Sequence, residues 1–274
     1  NMEQDKHYSM IIIGAGITGL STGLAWTKVY DPKEDPVLIL ERQAIPGGCV
    51  STFAREGYRF DTVQIIPDVF DVLEFFEIDI ELKRFETVYA RLFLADPKEK
   101  STELFHIGSD RDSFEAYLKD AFPEDADNIK EFFDYSTAMQ AELQYLKTEP
   151  TFRQLFGILF NCPKIIVNSG KTYKEYLQKF EFRNQKVHEI LDIFSSFSGL
   201  SGNRCASLLT ACAMISTLQG SYRPKKGFIE FPHKLRQNFE TAGGEIQFKT
   251  CVEKILTENG KSVGVQLSDG GIIK

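Results

Sequence analysis

The sequence of 274 residues contains few of the side chains and motifs that most catalytic centres use. It has four histidines, and none has a carboxylate or cysteine nearby at a spacing typical of metal ligation or general-base catalysis. The metalloprotease pattern H-E-x-x-H, the nucleophile pattern G-x-S-x-G and the phosphate-binding P-loop are absent. The sequence therefore predicts no metal site, and its catalytic residues are unknown at this stage.

Closely spaced cysteine pairs and an excess of positive charge are also lacking. Five cysteines are present, and no two of them form a C-x-x-C pair. An odd, unpaired set favours reduced thiols over a disulfide framework or a zinc site, so we expect a cytoplasmic protein. The net charge of −7 provides no basic field for phosphates, which argues against a nucleic-acid partner.

No apolar run reaches the length of about 18 residues that a spanning helix needs. Residues 152–167 are nevertheless apolar and carry basic Arg153 and Lys164. This segment is interpreted as a core helix, and a peripheral contact with a membrane surface is the alternative. The sequence leaves the oligomeric state open.

Phenylalanine is abundant, with 23 copies against a single tryptophan, and many of these lie between Phe53 and Phe197. Two interpretations stay open at this point. The phenylalanines could form an aromatic core, or they could line an apolar path for a hydrocarbon-like substrate.

The order of patterns predicts an α/β fold. Residues 10–13 and 37–40 are short apolar runs typical of buried parallel strands, and residues 17–30 between them have helical spacing. A βαβ unit of this kind is the core of a Rossmann-like domain. Strands at 245–249, 252–257 and 262–267, with an Asn259–Gly260 turn, predict a β-meander.

The region between these strands has mostly helical periodicity, beginning after a proposed N-cap at Ser109. We therefore predict a discontinuous domain of residues 1–80 and 222–274. Residues 81–221 would form an inserted, mixed but mostly helical substrate domain.

The strongest motif is a G-x-G-x-x-G fingerprint that follows the first strand and opens the first helix. The first glycine permits a tight turn, the second lets a pyrophosphate approach the backbone, and the third lets helix and strand pack closely. The helix N-terminus would supply N–H donors to the phosphates. The predicted cofactor contacts here are Gly14, Ala15, Gly16, Ile17, Thr18 and Gly19.

Glu41 ends the second strand, 27 residues after Gly14. A carboxylate at this point can accept hydrogen bonds from both hydroxyls of a ribose. It would also repel a 2′-phosphate, which disfavours NADP. A solvated glutamate at a strand end is the structural alternative.

Glu41-Arg42 is followed by Gly47-Gly48 and Thr52, and then by Gly57-Tyr-Arg-Phe-Asp61. This box resembles the FAD-dependent amine oxidase and phytoene desaturase superfamily. Residues 113–134 and 222–270 are similar to its phytoene desaturase and retinol saturase branch. The resemblance implies FAD as cofactor, held in addition by Arg42, Gly47, Gly48, Cys49, Thr62, Gln64 and Val252. In the family, a valine placed as Val252 binds adenine through its backbone.

The resemblance further implies an oxidoreductase that transfers a hydride between flavin and an apolar polyene or lipid-like substrate. One alternative is a relative of amine oxidases or protoporphyrinogen oxidase, with a more polar substrate. Another is a non-catalytic, truncated nucleotide-binding module. Because family members continue with a further flavin-domain strand and a late G-D motif, we expect the chain to be incomplete for activity.

Overall fold

The computed structural model describes residues 7–62, 70–86, 88–96, 100–146 and 152–274. The chain divides into two compact units. Among the described residues, the first comprises residues 7–62, 70–83 and 223–274, and the second comprises those between 84 and 222.

A parallel sheet of three strands forms the centre of the first unit. Strand β1 (Met10–Ile13) leads through helix α1 (Ile17–Val29) into strand β2 (Val37–Leu40), which pairs on its other edge with strand β9 (Glu245–Gln247). All four residues of β2 are buried, as expected for a central parallel strand covered on both faces.

The alternation of side chains along β2 defines the two faces of the sheet. Val37 and Ile39 pack in one cluster with apolar residues of α1 and of helix α10 (Glu230–Thr241). Leu38 and Leu40 pack in a second cluster with Val265. The sheet therefore lies between a helical layer and a β-layer. Helix α2 (Phe70–Phe75) adds Leu73 to the first cluster.

The β-layer is an antiparallel meander of strands β10 (Val252–Glu258), β11 (Lys261–Leu267) and β12 (Ile272–Ile273). Asn259 and Gly260 join the first two strands, both with positive φ, which confirms the predicted hairpin turn. A separate hairpin consists of strands β3 (Thr52–Arg55) and β4 (Tyr58–Asp61).

The predicted Rossmann-like α/β fold with a parallel sheet and a β-meander is confirmed. Strands β1 and β2 have the predicted bounds. Strand β9 ends at Gln247, two residues before the predicted end at residue 249.

The second unit is mostly helical. Its antiparallel strands β6 (Val88–Asp96) and β7 (Ser101–Gly108) precede seven helices in the described part of the chain. These helices are α3 (Arg111–Ala121), α4 (Ala126–Ala141), α5 (Phe152–Asn161), α6 (Pro163–Asn168), α7 (Tyr173–Gln178), α8 (Gln185–Asp192) and α9 (Ser207–Leu218). Short strands β5 (Leu82–Arg84) and β8 (Tyr222–Pro224), most of whose residues belong to the first unit, pair with each other.

The N-cap of α3 differs from the sequence expectation. Asp110, and not Ser109, accepts the hydrogen bond from the Ser113 amide at 2.8 Å. Ser109 is fully buried, and its hydroxyl has no hydrogen-bond partner among the residues that the structure describes. The cap therefore lies one residue later than the sequence pattern indicated.

The aromatic residues of the second unit form its core. Phe132 illustrates the packing, because its ring lies 5.1 Å from the ring of Phe180 and 5.2 Å from that of Phe133, edge to face in both pairs. The core interpretation is correct for the buried phenylalanines of this cluster, which are Phe105, Phe114, Phe122, Phe132, Phe133, Phe180, Phe182 and Phe194.

Candidate functional site

The glycine loop between β1 and α1 is the starting point of the site. Gly14 has φ +101° and donates its N–H to the carbonyl of Leu40 at 2.8 Å, so the turn is anchored on β2. A Cβ added to Gly19 would overlap the carbonyl oxygen of Gly14, whereas a Cβ added to Gly16 would meet no atom within 4 Å. The third glycine is thus required for packing, and the second leaves the backbone open to a ligand.

The N-terminus of α1 provides donors beside this opening. Gly16 is the N-cap residue and offers no side-chain cap, and the first turn contains no acidic residue. The first helical bond runs from the Leu20 amide to the Gly16 carbonyl at 2.9 Å. The amides before Leu20 have no partner within the helix, so they and the helix dipole favour an anionic group.

Glu41 faces the glycine loop. Its side chain is buried, with 7% of the residue exposed. One carboxylate oxygen accepts the Ala15 amide at 2.7 Å and the other accepts the Gln43 amide at 2.7 Å. A carboxylate has about four acceptor positions, so two remain for further donors such as the hydroxyls of a ribose.

The Gly47–Gly48 turn packs on the same loop. The Gly47 amide donates to the carbonyl of Ala15 at 2.8 Å. A Cβ on Gly48 would lie 3.4 Å from the Cα of Gly16. The structure therefore brings the two glycine-rich segments together, as a shared backbone surface without bulky side chains.

The remaining predicted cofactor residues differ in their contacts with the two glycine-rich segments. Thr62 donates its hydroxyl to the Cys49 carbonyl at 2.5 Å and accepts the Ser51 amide at 3.0 Å, which ties β4 to the segment after Gly48. The side chains of Cys49 and Arg42 are exposed. Gln64 lies outside the described residues.

Val252 is placed near Glu41 by the preceding residues. The Thr250 amide donates to the Glu41 carbonyl at 2.9 Å, and the Lys249 amide donates to the Gln43 carbonyl at 3.0 Å. Val252 follows two residues later as the first residue of β10. The start of the meander is thereby attached to the end of β2.

Thr52 and Asp61 were not singled out as site residues from the sequence. They lie opposite each other in the β3–β4 hairpin, and the Thr52 hydroxyl donates to the Asp61 carboxylate. Asp61 in turn accepts the Phe228 amide at 3.0 Å. The available signal was their equal spacing from the hairpin turn, which predicts that the two side chains share one face.

Several groups with shifted pKa values lie in the helical core. Burial raises the pKa of Tyr173 and of Tyr176, and it raises the pKa of Cys212 to about 11. Burial also lowers the pKa of His188. The Tyr176 hydroxyl is hydrogen-bonded to Ser136 at 2.7 Å within the core, so these shifts reflect packing more than catalysis.

The described ranges contain neither a metal-binding cluster nor a membrane-spanning helix. No group of three or more histidine, cysteine, aspartate or glutamate side chains is arranged to hold a metal ion there. Among those same residues, no helix has both the length and the apolar character required to cross a membrane.

The loop, the helix terminus and the buried acid at the end of β2 define a protein with a Rossmann-like dinucleotide-binding fold. In agreement, residues 12–68 match the family model described as an NAD(P)-binding Rossmann-like domain.

Curated relatives cover nearly the whole chain. It is 27% identical over 285 residues to a chloroplastic prolycopene isomerase of Arabidopsis thaliana, covering 96% of this chain and 45% of the relative. It is 26% identical over 272 residues to a lycopene-forming phytoene desaturase of Pantoea ananas, covering 94% and 52%. The predicted resemblance to the phytoene desaturase branch is confirmed. The chain spans about half the length of these relatives.

A solved structure of putrescine oxidase bound to putrescine has the same fold. The TM-score is 0.62 with 11% sequence identity, over 98% of this chain and 56% of that one. At this identity the likeness concerns the fold alone.

Proposed function

We propose that this chain supplies the FAD-binding part of a flavin-dependent oxidoreductase that acts on an apolar polyene or lipid-like substrate. Residues 1–80 and 222–274 would hold the cofactor, and residues 81–221 would supply the substrate domain. The names of the relatives, a prolycopene isomerase and a phytoene desaturase, support the substrate class.

The observation that carries the proposal is the orientation of Glu41. Its buried carboxylate is hydrogen-bonded to the glycine loop and keeps acceptor capacity on both oxygens. The sugar of the ADP moiety would be bound by this acid, and the diphosphate by the amides at the start of α1. Gly47, Gly48, Cys49, Thr62, Arg42 and Val252 would extend the site along the remaining cofactor.

FAD is favoured over a nicotinamide cofactor by the second glycine pair. This pair belongs to the sequence box that resembles the FAD-dependent superfamily, and the Gly47–Gly48 turn is packed against the first loop. When bound, a flavin supplies the acceptor or donor for a hydride, and the protein then supplies binding and orientation. This division of roles agrees with a site that offers backbone groups and one acid.

The test is a titration of the purified, dialysed protein with FAD, followed by flavin absorbance and fluorescence, with ADP and NAD⁺ as competitors. We expect FAD to bind and ADP to displace it. Binding of NAD⁺ without FAD would support a dinucleotide site and refute the flavin assignment. If none of the three binds, the chain is better explained as a non-catalytic module.

The class of substrate requires a separate experiment. Amines are the alternative substrate class that the sequence resemblance leaves open. In the protein loaded with FAD, polyenes should either reduce the flavin anaerobically or reoxidise the reduced flavin, and amines should do neither. Flavin bleaching by amines alone would contradict the proposed substrate class.

Peripheral contact with a membrane is also proposed, on the basis of exposed apolar side chains in α5 and α6. Leu159 is 58% exposed, Phe160 is 82% exposed, and Val167 in the last turn of α6 is 57% exposed. Residues 151–174 contain four lysines or arginines and no aspartate or glutamate, in a chain with net charge −7. Apolar side chains flanked by positive charge fit a surface of anionic lipid.

This contact is tested by co-sedimentation with vesicles of phosphatidylglycerol and of phosphatidylcholine. The wild-type protein should partition to the anionic vesicles, and a double variant with Leu159→Gln and Phe160→Gln should partition at least about tenfold less, because each withdrawn apolar side chain contributes about 1.5 kcal/mol or more. Leu209→Gln, at an exposed leucine of α9, is the matched control and should have no effect. Equal partitioning of all three proteins would refute the contact.

A further inference from the structure

A hydrogen-bonded group at the base of the β3–β4 hairpin holds the beginning of α10. Asp61, whose side chain is 10% exposed, receives the Thr52 hydroxyl and the Phe228 amide on one oxygen and the Arg223 guanidinium on the other. The Thr52 oxygen accepts the Ile229 amide at 3.1 Å. Two consecutive amides before α10 are therefore satisfied by two hairpin side chains.

At this junction the backbone lies so close to the two hairpin side chains that only glycine fits. Gly227 has φ +98°, and a Cβ at this position would lie 2.6 Å from the Thr52 hydroxyl oxygen and 3.0 Å from the Asp61 carboxylate. The close approach allows both side chains to reach the amides that follow Gly227. The hairpin and the helix start are thus fitted to each other.

The first turn of α10 in turn contacts the Gly47–Gly48 segment. A Cβ on Gly47 would lie 3.2 Å from the Pro232 ring and 3.5 Å from the Ile229 side chain. The Gly47 amide is bonded to the Ala15 carbonyl in the glycine loop. A continuous series of contacts therefore runs from Asp61 and Thr52, through the start of α10, to the loop that faces the ligand.

We propose that Asp61 and Thr52 are positioning residues that press the start of α10 against Gly47 and so fix the Gly47–Gly48 turn on the glycine loop. This inference rests on the proposed function, because it assigns the turn to the diphosphate of the bound dinucleotide. Loss of the two side chains releases the turn, and the ligand then loses contacts at its diphosphate while its adenosine stays bound at Glu41.

The consequence is a selective effect on ligands. Asp61→Ala and Thr52→Val should weaken binding of ADP and FAD about tenfold, the usual effect of one lost hydrogen bond to a charged or buried partner. Binding of AMP, which has no diphosphate, should change by less than about twofold. Thr52→Ser keeps the hydroxyl and should bind ADP as the wild type does.

Calorimetric titration of each variant with AMP, ADP and FAD tests this selectivity. Arg55→Ala is the matched control, because Arg55 is on the opposite face of the hairpin and, among the described residues, forms its ion pair with its exposed neighbour Glu56. Equal losses for AMP and ADP would show a general structural role and overturn the proposal, as would unchanged ADP binding. If the wild-type protein binds none of the ligands, the proposed function fails first and the inference fails with it.

A second readout needs no ligand and covers the case in which Asp61→Ala fails to fold. In the milder Thr52→Val variant, hydrogen exchange should accelerate at the amides of Phe228, Ile229 and Gly47. Exchange at Leu235, within α10, should stay at the wild-type rate. Faster exchange at Ile229 alone, with Gly47 unchanged, would break the proposed connection.

Discussion

The substitution Glu41→Gln separates the contribution of the acid to folding from its contribution to ligand binding. The carboxylate accepts two amides at 2.7 Å from a buried position. A glutamine has a single carbonyl oxygen, so one of the two amides would face an NH₂ group. An unsatisfied buried donor costs about 2 kcal/mol, which corresponds to a decrease in Tm of about 4–8 °C for a domain of this size.

The same substitution removes the negative charge that would face the sugar of the proposed cofactor. ADP should bind about tenfold more weakly, because hydrogen bonds to a charged acceptor are about twice as strong as neutral ones. The preference for ADP over its 2′-phosphorylated analogue should decrease, since the repulsion of the phosphate is gone. Thermal unfolding and calorimetric titration with both nucleotides measure these effects.

Gln43→Ala is the control for this experiment, because Gln43 contributes its backbone amide to Glu41 and its side chain is exposed. It should retain the wild-type Tm and ADP affinity. If Glu41→Gln also retained both, the carboxylate would have no role in the site, and the proposed function would lose its main support.

Three further predictions concern glycines and thiols. Gly16→Ala should leave Tm unchanged and weaken ADP binding, whereas Gly19→Ala should lower Tm, because only the latter Cβ overlaps the carbonyl of the loop's first glycine; thermal melts with and without ADP compare them. With a thiol reagent at pH 8, the native protein should react at Cys49 and Cys251, the exposed pair among five free cysteines. Burial raises the pKa of Cys212 from 9.0 to about 11, so the folded state keeps the neutral thiol and this contribution to stability should be lost as pH rises from about 9 to 11. Denaturant melts across that range, with Cys212→Ala as reference, measure the loss.

The parts of the site that the sequence predicted are local. The turn at Gly14, the helix that follows it and the acid at Glu41 lie within one βαβ unit, where spacing along the chain determines spacing in the fold. The glycine at the third motif position is required by contact with a residue five positions earlier. Patterns of this kind can be interpreted from the sequence because the short segments between the motif residues have little conformational freedom.

The parts that were not predicted depend on distant pairings. Asp61 and the Phe228 amide are 167 residues apart, and nothing in the spacing of either segment indicates that they meet. The N-cap of α3 shows the same limit at short range. Ser109 and Asp110 are both good caps, and the buried position of Ser109 decides for its neighbour.

Contacts from backbone amides and contacts from the Glu41 side chain have different consequences for the proposed ligand. Backbone amides at the start of α1 and in the Gly47–Gly48 turn can bind phosphate only if the backbone is held in place, so their contribution depends on packing by Gly19 and on the hairpin residues Thr52 and Asp61. In the proposed site Glu41 would bind through its side chain, which the Ala15 and Gln43 amides already fix. Damage to packing should therefore reduce affinity for the diphosphate, while damage to Glu41 should reduce affinity for the sugar. AMP and ADP distinguish the two, because they have the sugar in common and differ in the second phosphate.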